Sequence, residues 1–223
     1  MELLIAALAP ILIFAIYFYY RDKYEKEPII LLLKTLLLGV FISLPVILLE
    51  KYLENFISIA GDDSYLKAGF SAFIVASFSE ELFKLIAVYW LIWKNPNFNE
   101  LFDGIVYCVF VSLGFAGIEN VIYVFSGGTS VALLRAFTAV PAHTLFGVAM
   151  GYNFGLAKFN KNKRAFYLIF SFIVPFILHG IYDFILMSND GLLLLGFIPF
   201  MIFLWSRSKK RIKELSDASI YMD

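Results

Sequence analysis

Seven apolar stretches divide the chain, near 3–20, 28–49, 66–93, 103–126, 130–157, 165–187 and 191–206, with short polar segments between them. Each is long enough, or nearly so, to cross ~30 Å of hydrocarbon, which takes about 20 helical residues. A spanning segment must satisfy its own backbone hydrogen bonds, so all seven are expected to be α-helices. The first lacks a basic flank and is interrupted by Pro10, which predicts a span and not a cleavable leader.

The polar segments carry the orientation. With seven spans, alternate loops hold 13 Lys and Arg on one side, from Arg21, Lys23 and Lys26 through to Lys213, and only Lys51 on the other. Basic loops stay in the cytoplasm, which predicts the amino terminus outside and the carboxyl end inside. The expected fold class is an all-α polytopic membrane helix bundle. Residues 1–206 form one bundle with its functional core at about 66–187, and 207–223 form a short basic-then-acidic cytoplasmic tail.

Composition agrees. Hydrophobic residues make up 61% of the chain, against about 45–50% in soluble domains. Formal net charge is zero, which offers nothing to a nucleic acid. Cys108 is the only cysteine, so an intrachain disulfide and a cysteine-based metal site are excluded. Asp103 reads as the N-cap of the fourth helix, and Trp90, Trp93 and Trp205 as an interfacial belt.

Against this apolar background the ionisable residues stand out. Glu80, Glu81 and Lys84 lie in the middle of the third stretch, where each costs about 2.5–3.5 kcal/mol on insertion scales and marks a functional interior. Lys84 is i+4 from Glu80 and i+3 from Glu81; it is expected to neutralise one of them, in a simple packing cluster, but not easily both. At 1.5 Å per helical residue, Glu119 lies roughly 10 Å from the outer end of its helix, His179 roughly 12 Å, Asp183 roughly 6 Å, and His143 and Glu80 near 20 Å. Four helices thus bring carboxylates or imidazoles to the middle or outer half of the bilayer, which points to a shared polar cavity.

Local spacing supports that cavity. His179 and Asp183 share one helical face at i,i+4, so the carboxylate can orient the imidazole. Glu119-Asn120 can form an interhelical hydrogen-bond pair. His143, Gly147, Gly151 and Gly155 form an i+4 stripe with two overlapping G-x-x-x-G patterns, which lets helices approach closely. Ala68, Ala72 and Ala76 form a second small-residue stripe leading to Glu80 and Lys84. Pro141 and Pro175 each free a carbonyl and can kink their helices.

Two chemistries suit the cluster. A glutamate can take a proton from water while a histidine orients that water or protonates the leaving amine, giving peptide hydrolysis without a serine or cysteine nucleophile. Alternatively, Glu and His can hold a divalent metal such as zinc whose bound water attacks. The pattern H-E-x-x-H is absent, so zinc would need carboxylate ligands as well as the two histidines. The residues leave both open. A relay of Glu, His and Lys also suits an ion or proton transporter.

Glu80-Glu81-x-x-Lys84, Phe115-x-x-x-Glu119-Asn120, Pro141-x-His143 with its glycine stripe, and His179-Gly180-x-Tyr182-Asp183 together resemble the PrsW family of bacterial intramembrane proteases, relatives of the CAAX prenyl endopeptidases. The resemblance runs over most of the chain. It implies a multi-pass protein of the bacterial cytoplasmic membrane that makes the first, extracytoplasmic (site-1) cut in a single-pass anti-sigma factor, leading to sigma-factor release. It also implies that Glu80, Glu81 and His179 are essential, with His143 and Glu119 beside them; the family has been classed with metallopeptidases, but its prenyl-endopeptidase relatives resemble metal-free glutamate enzymes, which slightly favours Glu80 as base with His143 and His179 assisting. Prenyl endopeptidases have His where this chain has Glu119 and Asn where it has Asp183, which argues against a prenylated substrate. The wider superfamily also includes a structural subunit of γ-secretase, so a non-catalytic scaffold is a third expectation.

Overall fold

The computed structural model describes residues 2–218, and all regular structure among them is helical. Among the described residues nine α-helices follow one another: α1 (Glu2–Arg21), α2 (Ile29–Glu54), α3 (Ser64–Gly69), α4 (Phe78–Ile92), α5 (Asp103–Phe137), α6 (Ala139–Phe159), α7 (Arg164–Met187), α8 (Gly191–Leu195) and α9 (Phe197–Ser216). Five segments among the described residues are long and apolar enough to cross a membrane: Glu2–Arg21, Ile29–Glu54, Asp103–Phe159, Lys161–Met187 and Gly191–Ser216. Their outward faces carry large apolar side chains such as Ile13, Phe41, Leu44 and Ile198, as a lipid-facing surface requires.

Three of the seven expected stretches are organised differently. The third is not one α-helix: α3 and α4 are joined by a π-helical segment, Phe70–Ser77, that closes on a hydrogen bond from the Phe78 amide to the Phe73 carbonyl. The fourth and fifth together form a run of 57 residues, about 85 Å if straight, far more than a bilayer's thickness. The chain turns instead. Gly128 adopts φ 75°, ψ −163°, a conformation reserved for glycine, and Thr138 is non-helical.

The fifth expected helix therefore starts at Ala139, not near 130. Pro141 falls in its first turn, where the missing N–H has no partner to lose, so no kink follows. His143 then lies about 6 Å from the start of α6 and Glu80 about 24 Å from the start of α3, yet their side chains are 3.8 Å apart. The first turn of α6 is thus recessed into the bundle.

α5 is the central element, packed against α1, α2 and α6; α6 packs in turn on α7 and α9. The glycine stripe forms the α5–α6 seam. A Cβ built on Gly151 would stand 2.3 Å from the Gly104 carbonyl oxygen, and one on Gly155 would stand 2.3 Å from that of Leu101.

Asp103 is not an N-cap. It is the first residue of α5, buried, and its Oδ2 accepts from the preceding Asn99 and Glu100 amides at 3.0 and 2.6 Å. It belongs to a buried acidic cluster at this end of the bundle. Tyr107 donates its hydroxyl to Glu27 Oε2, and the Glu27 amide donates to Asp22 Oδ2 at 3.1 Å. Loss of hydration, then the nearby Asp103 charge, pushes the Glu27 carboxyl up to about 9; burial pushes Asp22 to about 6. A carboxyl raised in the fold contributes stability that is full below its ordinary value of 4.5 and is lost as pH climbs through about 9. The melting temperature in detergent should therefore fall between pH 5 and pH 9, and Glu27→Gln should flatten that slope. An unchanged slope in the variant would remove Glu27 as its cause.

The expected tail is mostly helix. α9 runs on to Ser216 and buries Ile212 and Leu215, while Tyr152 donates to Glu214 at 2.8 Å. Residues 219–223 of that tail lie outside the described residues.

Candidate active site

The residues singled out by depth converge. Glu80, Glu81 and Lys84 occupy the start of α4, directly after the π-helical segment; Glu119 and Asn120 lie on α5, His143 in the first turns of α6, and His179 and Asp183 on α7. Local packing fixes each imidazole. Phe146 stacks on His179 with centroids 4.8 Å apart, and the two histidine rings meet edge to face at 5.2 Å.

Lys84 lies at the centre and is fully buried. Its ammonium donates to Glu80 Oε2 at 2.9 Å, to Glu81 Oε1 at 2.8 Å and to His143 Nδ1 at 3.3 Å. It thus bridges both carboxylates, contrary to the expectation that it would satisfy one. Glu80 and Glu81 leave the helix in different directions, but the flexible lysine stem brings the charge up between their tips. The Phe115 ring covers it, with its centroid 4.5 Å from Nζ.

Hydrogen-bond logic assigns the imidazole protons. His143 Nδ1 faces an ammonium, which can only donate, so Nδ1 accepts and Nε2–H donates to Glu119 Oε2 at 2.7 Å. His179 faces carboxylates on both sides: Glu81 Oε1 lies 2.9 Å from Nδ1 and Asp183 Oδ2 3.1 Å from Nε2. Carboxylates only accept, so both nitrogens donate and the ring is an imidazolium.

A cavity of about 460 Å³ opens beside the cluster. Glu80, Glu119, His143, His179 and Asp183 line it, whereas Glu81 and Lys84 do not. Glu80 and Glu81 therefore differ in access. Glu80 meets the cavity; Glu81 is fully buried, and its Oε2 has no hydrogen-bond partner.

Sequence reasoning missed three contributors. Arg135 donates from Nε to Asn120 Oδ1 at 2.9 Å, makes an ion-pair contact with Glu119 at 3.3 Å and lies over the Tyr123 ring. Asn120 in turn donates to the Ala7 carbonyl at 2.7 Å. An arginine inside an apolar stretch is as costly as a glutamate, and that was the available signal. Glu50 and Glu54 of α2 also line the cavity; at sequence level they are only loop charges at a helix end.

Glu80, Glu81, His143 and His179 form a group that could hold a metal ion, each offering a ligand atom within 4.8 Å of the others. Carboxylate oxygen and imidazole nitrogen suit zinc. The arrangement, however, does not fit a metal beside Lys84. The ammonium already uses the near oxygens of both glutamates and the lone pair of His143 Nδ1, while His179 Nδ1 carries a hydrogen. A divalent ion ~3.5 Å from that ammonium would be repelled by on the order of 10 kcal/mol at an effective dielectric of 20.

Residues 27–206 match the model of the PrsW family intramembrane metalloprotease. The chain is 37% identical to protease PrsW of Geobacillus kaustophilus (strain HTA426), over 96% of this chain and 92% of the relative. It is 37% identical to protease PrsW of Clostridioides difficile (strain 630), over 98% and 93% of the two chains. It is 36% identical to protease PrsW of Bacillus subtilis (strain 168), over 94% and 93%. No solved structure matches. Family match, near-complete coverage by these relatives and the Glu/His cluster among apolar helices agree, and the chain belongs to the PrsW family of intramembrane proteases.

Proposed function

We propose that this chain crosses the bacterial cytoplasmic membrane seven times, amino terminus outside, and makes the site-1 cut in a single-pass anti-sigma factor on the extracytoplasmic side. The alternation of basic loops supports the orientation. The α3–π–α4 stretch supplies one further span, and separating α5 from α6 supplies another. Helix-end depth supports the side of cleavage: α2 and α7 finish where the cavity's Glu54 and Met187 lie, and in this orientation those ends face outward.

The observation that carries the hydrolytic reading is Glu80 at the cavity wall, with Oε2 held by Lys84 and two imidazoles within about 4 Å. Glu80 takes a proton from a water in the cavity, and the resulting hydroxide adds to the scissile carbonyl carbon. The His179 imidazolium lines the same cavity and offsets the negative charge that develops on the carbonyl oxygen. Collapse breaks the C–N bond, and the amine leaves with the proton that Glu80 took. His143, braced between Lys84 and Glu119, positions the water. Glu81 and Asp183 keep His179 charged and oriented.

The test is the purified protein in liposomes with a single-pass anti-sigma substrate. Cleavage within the outer half of its membrane segment is expected. His179→Ala should slow it by about 10²–10⁴-fold. A wild-type protein that conducts protons or ions while leaving the substrate whole would overturn the reading in favour of transport.

A further inference from the structure

We propose that the Lys84 ammonium is the resident cation of the Glu80–Glu81–His143–His179 cage, and that this cage becomes a transition-metal site only when the ammonium is taken away. The family is described as one of metalloproteases; in this chain the group of residues that could hold a metal is filled by a side chain.

Three observations carry the proposal. First, valence is complete. An ammonium has three hydrogens, and Lys84 has three acceptors at 2.9, 2.8 and 3.3 Å. Two of these are buried carboxylate oxygens and the third is an imidazole lone pair, the atoms a metal would claim.

Second, size is wrong for the metal and right for the lysine. Zinc holds nitrogen and oxygen at about 2.0–2.2 Å, so tetrahedral ligand atoms lie roughly 3.4 Å apart. Here the four candidate atoms spread to 4.8 Å, a cage drawn to N–H···O lengths. Third, His179 is unavailable as a ligand. Its Nδ1–H is committed to Glu81 and its Nε2–H to Asp183, and a ligating nitrogen must give up its hydrogen.

Removing the lysine frees donor atoms of the cage. Glu80 loses its only hydrogen-bonded cation and the His179 imidazolium alone is left to balance two buried carboxylates, so the pair must take up a proton or recruit a cation. The Glu81 Oε2 atom, which already lacks a partner, becomes one more available donor. His143 Nδ1 regains its lone pair, and Lys84→Leu leaves an apolar side chain that does not compete for the metal.

The experiment is cobalt and zinc titration of the metal-free, detergent-purified full chain. The wild type should show no intense visible bands of four-coordinate cobalt, and its melting temperature should be unmoved by zinc or by chelator. Lys84→Leu should bind about one cobalt per chain with those bands, take up zinc at least about 100-fold more tightly than the wild type, and melt higher as zinc is added. Adding His143→Ala to Lys84→Leu should erase the bands. A wild type that binds one cobalt in four-coordinate form overturns the proposal, whether or not the variant folds. A folded Lys84→Leu protein that binds neither metal overturns it equally. Neither measurement uses a substrate, so a failure of the peptidase reading leaves these results where they stand.

Discussion

Glu80→Gln should reduce cleavage of a membrane-anchored substrate by about 10²–10⁴-fold, the range expected when a general base is removed, with little change in melting temperature. The amide oxygen of glutamine can still accept from Lys84, so the bridge between α4 and His143 keeps its geometry while the group that takes the proton from water is lost. The side chain also stays at the cavity wall, where Glu80 lies. Glu81→Gln makes the contrast. Glu81 is fully buried, bonded to Lys84 and His179, and absent from the cavity lining, so its neutral form should act through His179 and destabilise the fold as well. Steady-state cleavage and thermal unfolding of both variants decide the assignment. Full activity in Glu80→Gln beside a dead but stable Glu81→Gln would exchange their roles.

The second large effect is structural. Gly151→Ala should destabilise the bundle by about 3 kcal/mol or more, the upper part of the range for overpacking. The new methyl would stand 2.3 Å from the Gly104 carbonyl oxygen and 2.5 Å from the Ile105 Cα, backbone atoms that no rotamer change can move aside. α5 and α6 would have to part. Their separation would carry Glu119 away from His143, now 2.7 Å apart, so activity should fall with stability. Gly191→Ala, where a Cβ meets nothing within 4 Å, is the control. Wild-type melting and cleavage in Gly151→Ala would show that the seam is looser than its distances.

Much of this arrangement was legible in the sequence because a bilayer punishes exceptions. Glu80, Glu119, His143 and His179 announce themselves by cost, and helical rise alone puts them within a few turns of one level. What was not legible depended on local backbone geometry. The start of α6 was misjudged because the chain breaks twice, at Gly128, where a gap between stretches was expected, and again at Thr138, within the stretch read as 130–157, where hydrophobicity carries no mark of a second turn. Pro141 was the better clue, as a first-turn proline. Lys84 was expected to serve one carboxylate because spacing on a helix gives directions of Cβ atoms and not the reach of a long side chain. Asp103 was read as a cap from its position, whereas its carboxylate turns back to the amides before it.

The π-helical segment Phe70–Ser77 amounts to one residue too many for the turns it fills. An inserted residue swings everything after it by about 100° around the helix axis. The alanine stripe runs across it: Ala68 and Ala72 are buried and Ala76 only partly, and beyond it the buried set widens to Ser77, Ser79, Glu80, Glu81 and Lys84. Two halves of one rod are thereby clocked differently. The first half is set to pack on lipid and on α7, the second to present acid and base to its neighbours. Without that extra residue the same carboxylates would point about 100° away, so one residue's worth of backbone decides whether this rod is a plain apolar helix or one wall of a reaction chamber.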